Sequence, residues 1–205
     1  RYRSSAASDV YKRQAIVFAS TGVDETPRGN RKRITAFLVD VGENGFEIGI
    51  GTKCVSYRGY HAFRLNFSDV RLGPNQILGE EGKGLELSGK WLGMGRIWVG
   101  ASCCGKAERL FALAKDWAST RKQFGQPIGK FQATGFKLAD IAIELRAADL
   151  MVNDAVRRAN EGKMSDADAA MVKVYCSEML NRAADNTLQL YGGMGLMEEL
   201  PICLL

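Results

Sequence analysis

The pattern of apolar residues predicts an α+β chain, an antiparallel β domain followed by an antiparallel helical bundle with short connections. Three observations predict it. Up to about Leu72, short apolar runs alternate with polar residues at period two. Gly73-Pro74-Asn75 then breaks the pattern, and beyond Gly82 apolar residues recur at spacings of three and four.

In order, Ala15–Ser20 and Ile34–Val41 read as strands flanking a charged connection with Pro27, Gly29 and Asn30, a long hairpin. Phe46, Ile48 and Ile50 alternate with Glu47 and Gly49, and Phe63, Leu65 and Phe67 with Arg64, Asn66 and Ser68, so each run should bury one face. A long helix from about Arg96 to Arg121 carries the stripe Val99, Cys103, Ala107, Leu110, Ala114 and Trp117, with Gly100, Ala101, Ser102 and Gly105 small enough for close approach. A second, from about Gln132 to Asn160, presents Leu138, Ile141, Leu145, Ala148, Val152 and Ala155 and stops at Gly162. A third starts at Ser165, with Asp168 completing a capping box, and buries Val172, Cys176, Met179 and Ala183 before Gly192-Gly193-Met194-Gly195 ends it. The expected division is a leader at 1–14, a partial β domain at 15–79 and a truncated helical bundle at 80–205. The leader resembles translated adapter sequence; a disordered native arm is the alternative.

The net charge of +5 includes +3 from Arg1, Arg3, Lys12 and Arg13 against Asp9, so the remainder carries little excess. With no basic face, nucleic-acid binding is set aside. No apolar stretch approaches the ~18 residues of a membrane span. Five cysteines, Cys54, Cys103, Cys104, Cys176 and Cys203, lack C-x-x-C spacing, which suits reduced thiols in a bacterial cytosol or mitochondrial matrix. The single histidine, His61, excludes a His-rich metal site and reads as structural or surface.

Three segments carry the chemistry. The first is Tyr57-Arg58-Gly59 leading into Phe67-Ser68-Asp69-Val70-Arg71-Leu72-Gly73-Pro74-Asn75 and Leu78-Gly79. The second runs Arg121-Lys122-Gln123-Phe124-Gly125-Gln126-Pro127-Ile128-Gly129-Lys130-Phe131-Gln132, and the third Gln189-Leu190-Tyr191-Gly192-Gly193-Met194-Gly195-Leu196. Taken singly, each has a plain reading. Arg121 would complement a helix C-terminus, Gly192-Gly193 would be a cap and turn, and Phe124 and Phe131 would be core aromatics.

Together, in order and spacing, they resemble the acyl-CoA dehydrogenase family, whose patterns are R-G-S…F-x-D-V-x-V-P-x-x-N-x-L-G, R-x-x-F-G-x-x-I-x-x-F-Q and Q-x-x-G-G-x-G-[FLY]. Tyr60 and His61 depart from the usual Ser or Thr, and Gly73 from the usual Val. The resemblance implies an FAD-dependent oxidoreductase that forms an α,β double bond in an acyl-CoA thioester. A carboxylate takes the α-proton while the β-hydride passes to the flavin. It also implies that Arg121, Gln123, Phe124, Gln132, Gln189, Gly192 and Gly193 hold the FAD of a neighbouring subunit. A pyrophosphate matches a guanidinium fork and closely approaching backbone amides.

Arg96 is expected to contact the CoA portion of the substrate, a solvated first-turn arginine being the alternative. Trp98 and Val99 read as acyl-pocket lining or as core. The catalytic base is expected beyond Leu205. The position before Arg96, where a minority of the family carries it, is Gly95, and Glu198 and Glu199 are not nominated. An electron-transfer flavoprotein as acceptor and a homodimer or tetramer are further implications. An acyl-CoA oxidase or flavin monooxygenase on the same scaffold, or a non-catalytic helical assembly module, is the alternative. Acyl chain length is not legible.

Overall fold

The computed structural model describes residues 14–27, 29–54, 61–197, 199–200 and 202. The calls made on residues 1–13, Tyr57-Arg58-Gly59, Tyr60, Glu198 and Cys203 lie outside them. The chain divides into two compact units, Arg1–Lys90 and Trp91–Leu205.

In the first unit, β1 (Gln14–Thr26) pairs antiparallel with β2 (Gly29–Asp40), from Gln14 opposite Asp40 to Thr26 opposite Gly29, with a bulge between Ser20 and Gly22. Gln14, expected in the leader, is thus a strand residue, and its side-chain amide donates to Asp40 Oδ1 at 2.7 Å. The charged stretch expected as a long connection is strand as well. Asp24 sits opposite Arg31 and takes two hydrogen bonds from Arg33, at 2.9 and 2.6 Å, so cross-strand pairing satisfies the charges that looked like loop. Gly29, opposite Thr26 at the start of β2, adopts φ 104°, a conformation open to glycine.

β3 (Phe46–Lys53) and β4 (His61–Phe67) form a second antiparallel pair, in which Phe46 stacks on Phe67 with centroids 4.7 Å apart. Leu65 is buried as expected, but Ile48 and Ile50 are not, being 44% and 90% exposed. A two-stranded ribbon offers no second layer to cover them.

The first turns of α1 (Gly84–Thr120) belong to this unit because the helix start is seated on β2. Gly82 N–H donates to Thr35 Oγ1 at 2.8 Å, and a Cβ on Gly84 would fall 2.8 Å from the Ala36 nitrogen. The helix therefore begins well before Arg96, where it was expected. Gly84, Gly89, Gly93 and Gly95 hid this start, and so did Trp91, Leu92 and Met94, which are exposed and give no buried stripe.

The second unit packs the rest of α1 with α2 (Gln132–Asn160) and α3 (Asp166–Tyr191). Its core joins Cys103, Cys104 and Ala107 of α1, Ile141, Leu145 and Ala148 of α2, and Val172, Cys176 and Met179 of α3. Each fully buried Ile or Met contributes about 1.5–3 kcal/mol. Gly100 lets α1 come close to α3: a Cβ there would lie 2.5 Å from Val172 Cγ1. α2 stops as Gly162 turns left-handed at φ 69°. α3 starts on its capping box: Asp168 N–H donates to Ser165 Oγ at 3.1 Å, and Ser165 N–H to Asp168 Oδ2 at 2.9 Å. The backbone hydrogen bond from Ser165 is the main reason the Asp168 carboxyl lies below the usual range.

Cys103, Cys104 and Cys176 are buried free thiols, each pushed up by burial, Cys104 to about 12. His61 lies at the start of β4, its ring tilted against Phe63 at 6.1 Å. Among the described residues no helix is long and apolar enough to cross a membrane, and no group of His, Cys, Asp and Glu is placed to hold a metal ion.

Candidate flavin site

After Thr120 the helical pattern gives way to a small hairpin, β5 (Lys122–Gln123) and β6 (Gln126–Pro127). Arg121 is fixed by its backbone: its N–H donates to the Trp117 carbonyl at 2.9 Å, and its own carbonyl accepts from Ile128 N–H at 2.8 Å. The two-residue turn is Phe124-Gly125, both left-handed, at φ 53° and 80°. A tight hairpin turn of this kind favours Asn-Gly, because a side chain with Cβ pays about 1–2 kcal/mol in that conformation. Phe124 is nevertheless 92% exposed, and its ring only meets the edge of Phe131 at 6.1 Å. A costly backbone thus holds an aromatic in solvent, where it covers little of this chain's own core.

The second segment arrives at the end of α3. Gly192 N–H donates to the Gln189 carbonyl, and Gly192 turns at φ 60° into a short 3₁₀ turn, Gly192–Leu196. Gly195 is buried, and a Cβ on it would lie 2.9 Å from the Leu188 carbonyl, which accounts for the glycine there. On Gly192 and Gly193 a Cβ would meet nothing within 4 Å, so these two leave open space.

The two segments meet in a cavity of about 500 Å³. Trp117, Arg121 and Gln123 line it from one side of the sequence, and Tyr191, Gly192 and Gly193 from the other. Trp117 and Tyr191 stack with centroids 4.5 Å apart and planes 12° from parallel, and the Arg121 guanidinium lies 5.9 Å from the Trp117 ring centre. No carboxylate among the described residues forms an ion pair with Arg121, so its charge is available to an anion. Ile128, Leu190, Met194 and Met197 make up the apolar remainder of the lining, and the one cation, amide side chain, aromatic wall and glycine backbone beside them can take part of a dinucleotide.

Of the residues singled out in the sequence, Arg121, Gln123, Gly192 and Gly193 therefore converge. Phe124, Gln132 and Gln189 do not line the cavity; all three are exposed, Gln132 as the first residue of α2 and Gln189 in its last turn before Gly192 on α3. The Gly192 amide is already engaged, so Gly192 offers space rather than a donor. Arg96 is half-buried on α1 and is not among the cavity's lining residues, Trp98 is 67% exposed and Val99 packs against the helical core. Trp117 and Tyr191 were read as a core stripe and as part of a glycine motif. The aromatic one turn before a cation, at i and i+4, was the available signal.

A protein-family model described as "Acyl-CoA dehydrogenase, C-terminal domain" matches residues 82–205. The chain belongs to the acyl-CoA dehydrogenase family. The short-chain-specific acyl-CoA dehydrogenase of Megasphaera elsdenii is 37% identical over 199 residues, 97% of this chain and 50% of that protein. The human mitochondrial short-chain-specific acyl-CoA dehydrogenase is 35% identical over 187 residues, 91% of this chain and 44% of that protein. The solved structure of butyryl-CoA dehydrogenase from M. elsdenii superimposes with a TM-score of 0.84 at 37% identity, covering 92% of this chain and 48% of that one. The chain thus spans about half the length of the curated relatives it matches.

Proposed function

We propose that the protein carrying this chain is an FAD-dependent acyl-CoA dehydrogenase, and that the cavity between the Arg121 hairpin and the Gly192 turn holds the phosphate-bearing part of the cofactor. The observation that carries the reading is the convergence of Arg121, Gln123, Gly192 and Gly193, from segments far apart in sequence, on one cavity, with no ion pair to Arg121 among the described residues. Bound there, FAD supplies the hydride acceptor for oxidation of the acyl thioester at its α and β carbons. Arg121 grips phosphate oxygens through its fork, Gln123 offers an amide donor, and the missing Cβ atoms of Gly192 and Gly193 let the ligand lie against backbone.

Phe124, Gln132 and Gln189, exposed in this chain, complete the flavin contacts across a subunit interface, which makes the working protein a dimer or tetramer. Arg96 meets the CoA portion of the substrate. The α-proton is taken by a carboxylate; Gly95 has no side chain to offer for this, and Glu199 is exposed. An electron-transfer flavoprotein, in a bacterial cytosol or mitochondrial matrix, reoxidises the enzyme.

Titration of the full-length protein with FAD tests this. Arg121→Ala removes a charge-assisted contact of about 1.5–3 kcal/mol and should weaken binding on the order of tenfold or more. Lys at 121 should rescue partly, since a point charge cannot reproduce the fork. Wild-type affinity in Arg121→Ala would remove the cavity from the flavin site. Peroxide formation without an added acceptor would make the enzyme an oxidase, and a colourless protein that takes up no FAD would make it an assembly module.

A further inference from the structure

We infer that Trp117 is a positioning residue, one that sets Arg121 and the Gly192-Gly193 turn against each other; the inference rests on the flavin reading of the cavity. Trp117 lies on α1, one turn before Arg121, and its ring lies against both Arg121 and Tyr191. Tyr191, stacked on it, is the last residue of α3 and directly precedes Gly192. The Tyr191 hydroxyl also donates to the Leu113 carbonyl at 3.2 Å, one turn earlier on α1. Tyr191 is therefore held to α1 at two points, and the glycine turn is held with it.

Core packing alone does not explain an indole at this position. Trp117 Nε1 is buried with no hydrogen-bond partner among the described residues, and a buried donor left unpaired is destabilising. Phenylalanine would fill much of the same space and carry no such donor. What indole adds over phenyl is the most cation-attracting aromatic face available to a side chain, and the guanidinium of Arg121 lies beside that face. The ring restrains a long, exposed arginine that would otherwise sample many rotamers, so less freedom is lost when the ligand binds.

The experiment is FAD titration of the full-length protein carrying Trp117→Leu or Trp117→Phe, each alone and combined with Arg121→Ala. Trp117→Leu should weaken FAD binding by about tenfold, and Trp117→Phe, which keeps the stack on Tyr191, by about two- to threefold. Trp117→Phe should weaken binding no further once Arg121 is alanine, because its loss runs through Arg121, whereas Trp117→Leu should keep the part of its loss that runs through Tyr191 and the glycine turn. A Phe loss that persists in full in the Arg121→Ala protein, wild-type affinity in Trp117→Leu, or a Phe variant as weak as the Leu variant would each overturn the inference. Should the leucine protein not fold, the Phe variant decides alone. Its apo form should be at least as thermostable as wild type, the orphaned donor being gone, and its loss must appear with Arg121 and vanish without it. A loss equal in both backgrounds, or none at all, overturns the inference. Arg121→Ala on its own separates the two levels: if it binds FAD like wild type, the flavin reading falls, whereas if it binds weakly and Trp117→Leu does not, only the positioning role falls.

Discussion

The helical unit reverses direction at Gly162 and again at Phe124, both with left-handed backbone, and the two reversals follow opposite logic. At Gly162 every local choice agrees with the fold. The residue lacks Cβ, α2 ends beside it, and Ser165 and Asp168 open α3 three residues on, with Arg158 donating to Asp168 at 3.0 Å across the loop. At Phe124 the same backbone region is occupied by a bulky aromatic that covers almost nothing of its own chain. Consistency across levels marks a turn that serves the fold, and its violation marks one that serves something else.

Exchanging the residue preferences of the two turns should separate them. Gly162→Ala places a Cβ in open space, so only the φ of 69° opposes it, and it should lower the stability of the protein by about 1 kcal/mol in thermal or denaturant unfolding. FAD affinity should be untouched; a weaker flavin complex would mean that the α2–α3 turn is not purely structural. Phe124→Asn relieves the same kind of strain and should raise stability by about 0.5–1 kcal/mol, while FAD binding weakens. If Phe124→Asn instead destabilises the apo protein, the aromatic contributes to this chain's own packing and the contrast between the turns disappears.

The legible parts of the fold were those where one local rule sufficed. α2 and α3, with Gly162 and the Ser165–Asp168 box, follow from helical spacing and capping chemistry. The early turns of α1 were hidden because their large apolar side chains, Trp91, Leu92 and Met94, face outward and give no stripe. The outer halves of β1 and β2 were hidden because Asp24, Arg31 and Arg33 look like loop until a partner strand pairs them. In the site, Arg121, Gln123, Gly192 and Gly193 could be singled out only as joint elements of a family pattern, since each alone is an ordinary cap or turn residue. The Trp117–Tyr191 stack was out of reach. An aromatic at core spacing carries no mark of which residue in a distant segment it will meet.

Burial of the thiol cluster where α1 meets α3 has a consequence for how opening of the bundle can be timed. Desolvation first, then the neighbouring Cys176 and Asp149, pushes Cys104 to about 12 from an ordinary 9.0. The folded state thus favours the protonated thiol. The stability this confers is complete below about pH 9 and drains away as pH rises toward 12, because the unfolded chain ionises first. Thiol reagents attack thiolate. Alkylation of Cys104 near neutral pH should therefore wait for the helices to part, and its rate should rise with denaturant in step with loss of helical signal. A rate that ignores denaturant would show the thiol to be reached by a local motion, leaving the rest of the bundle closed. A side chain sealed in for packing thus doubles as an internal clock for unfolding.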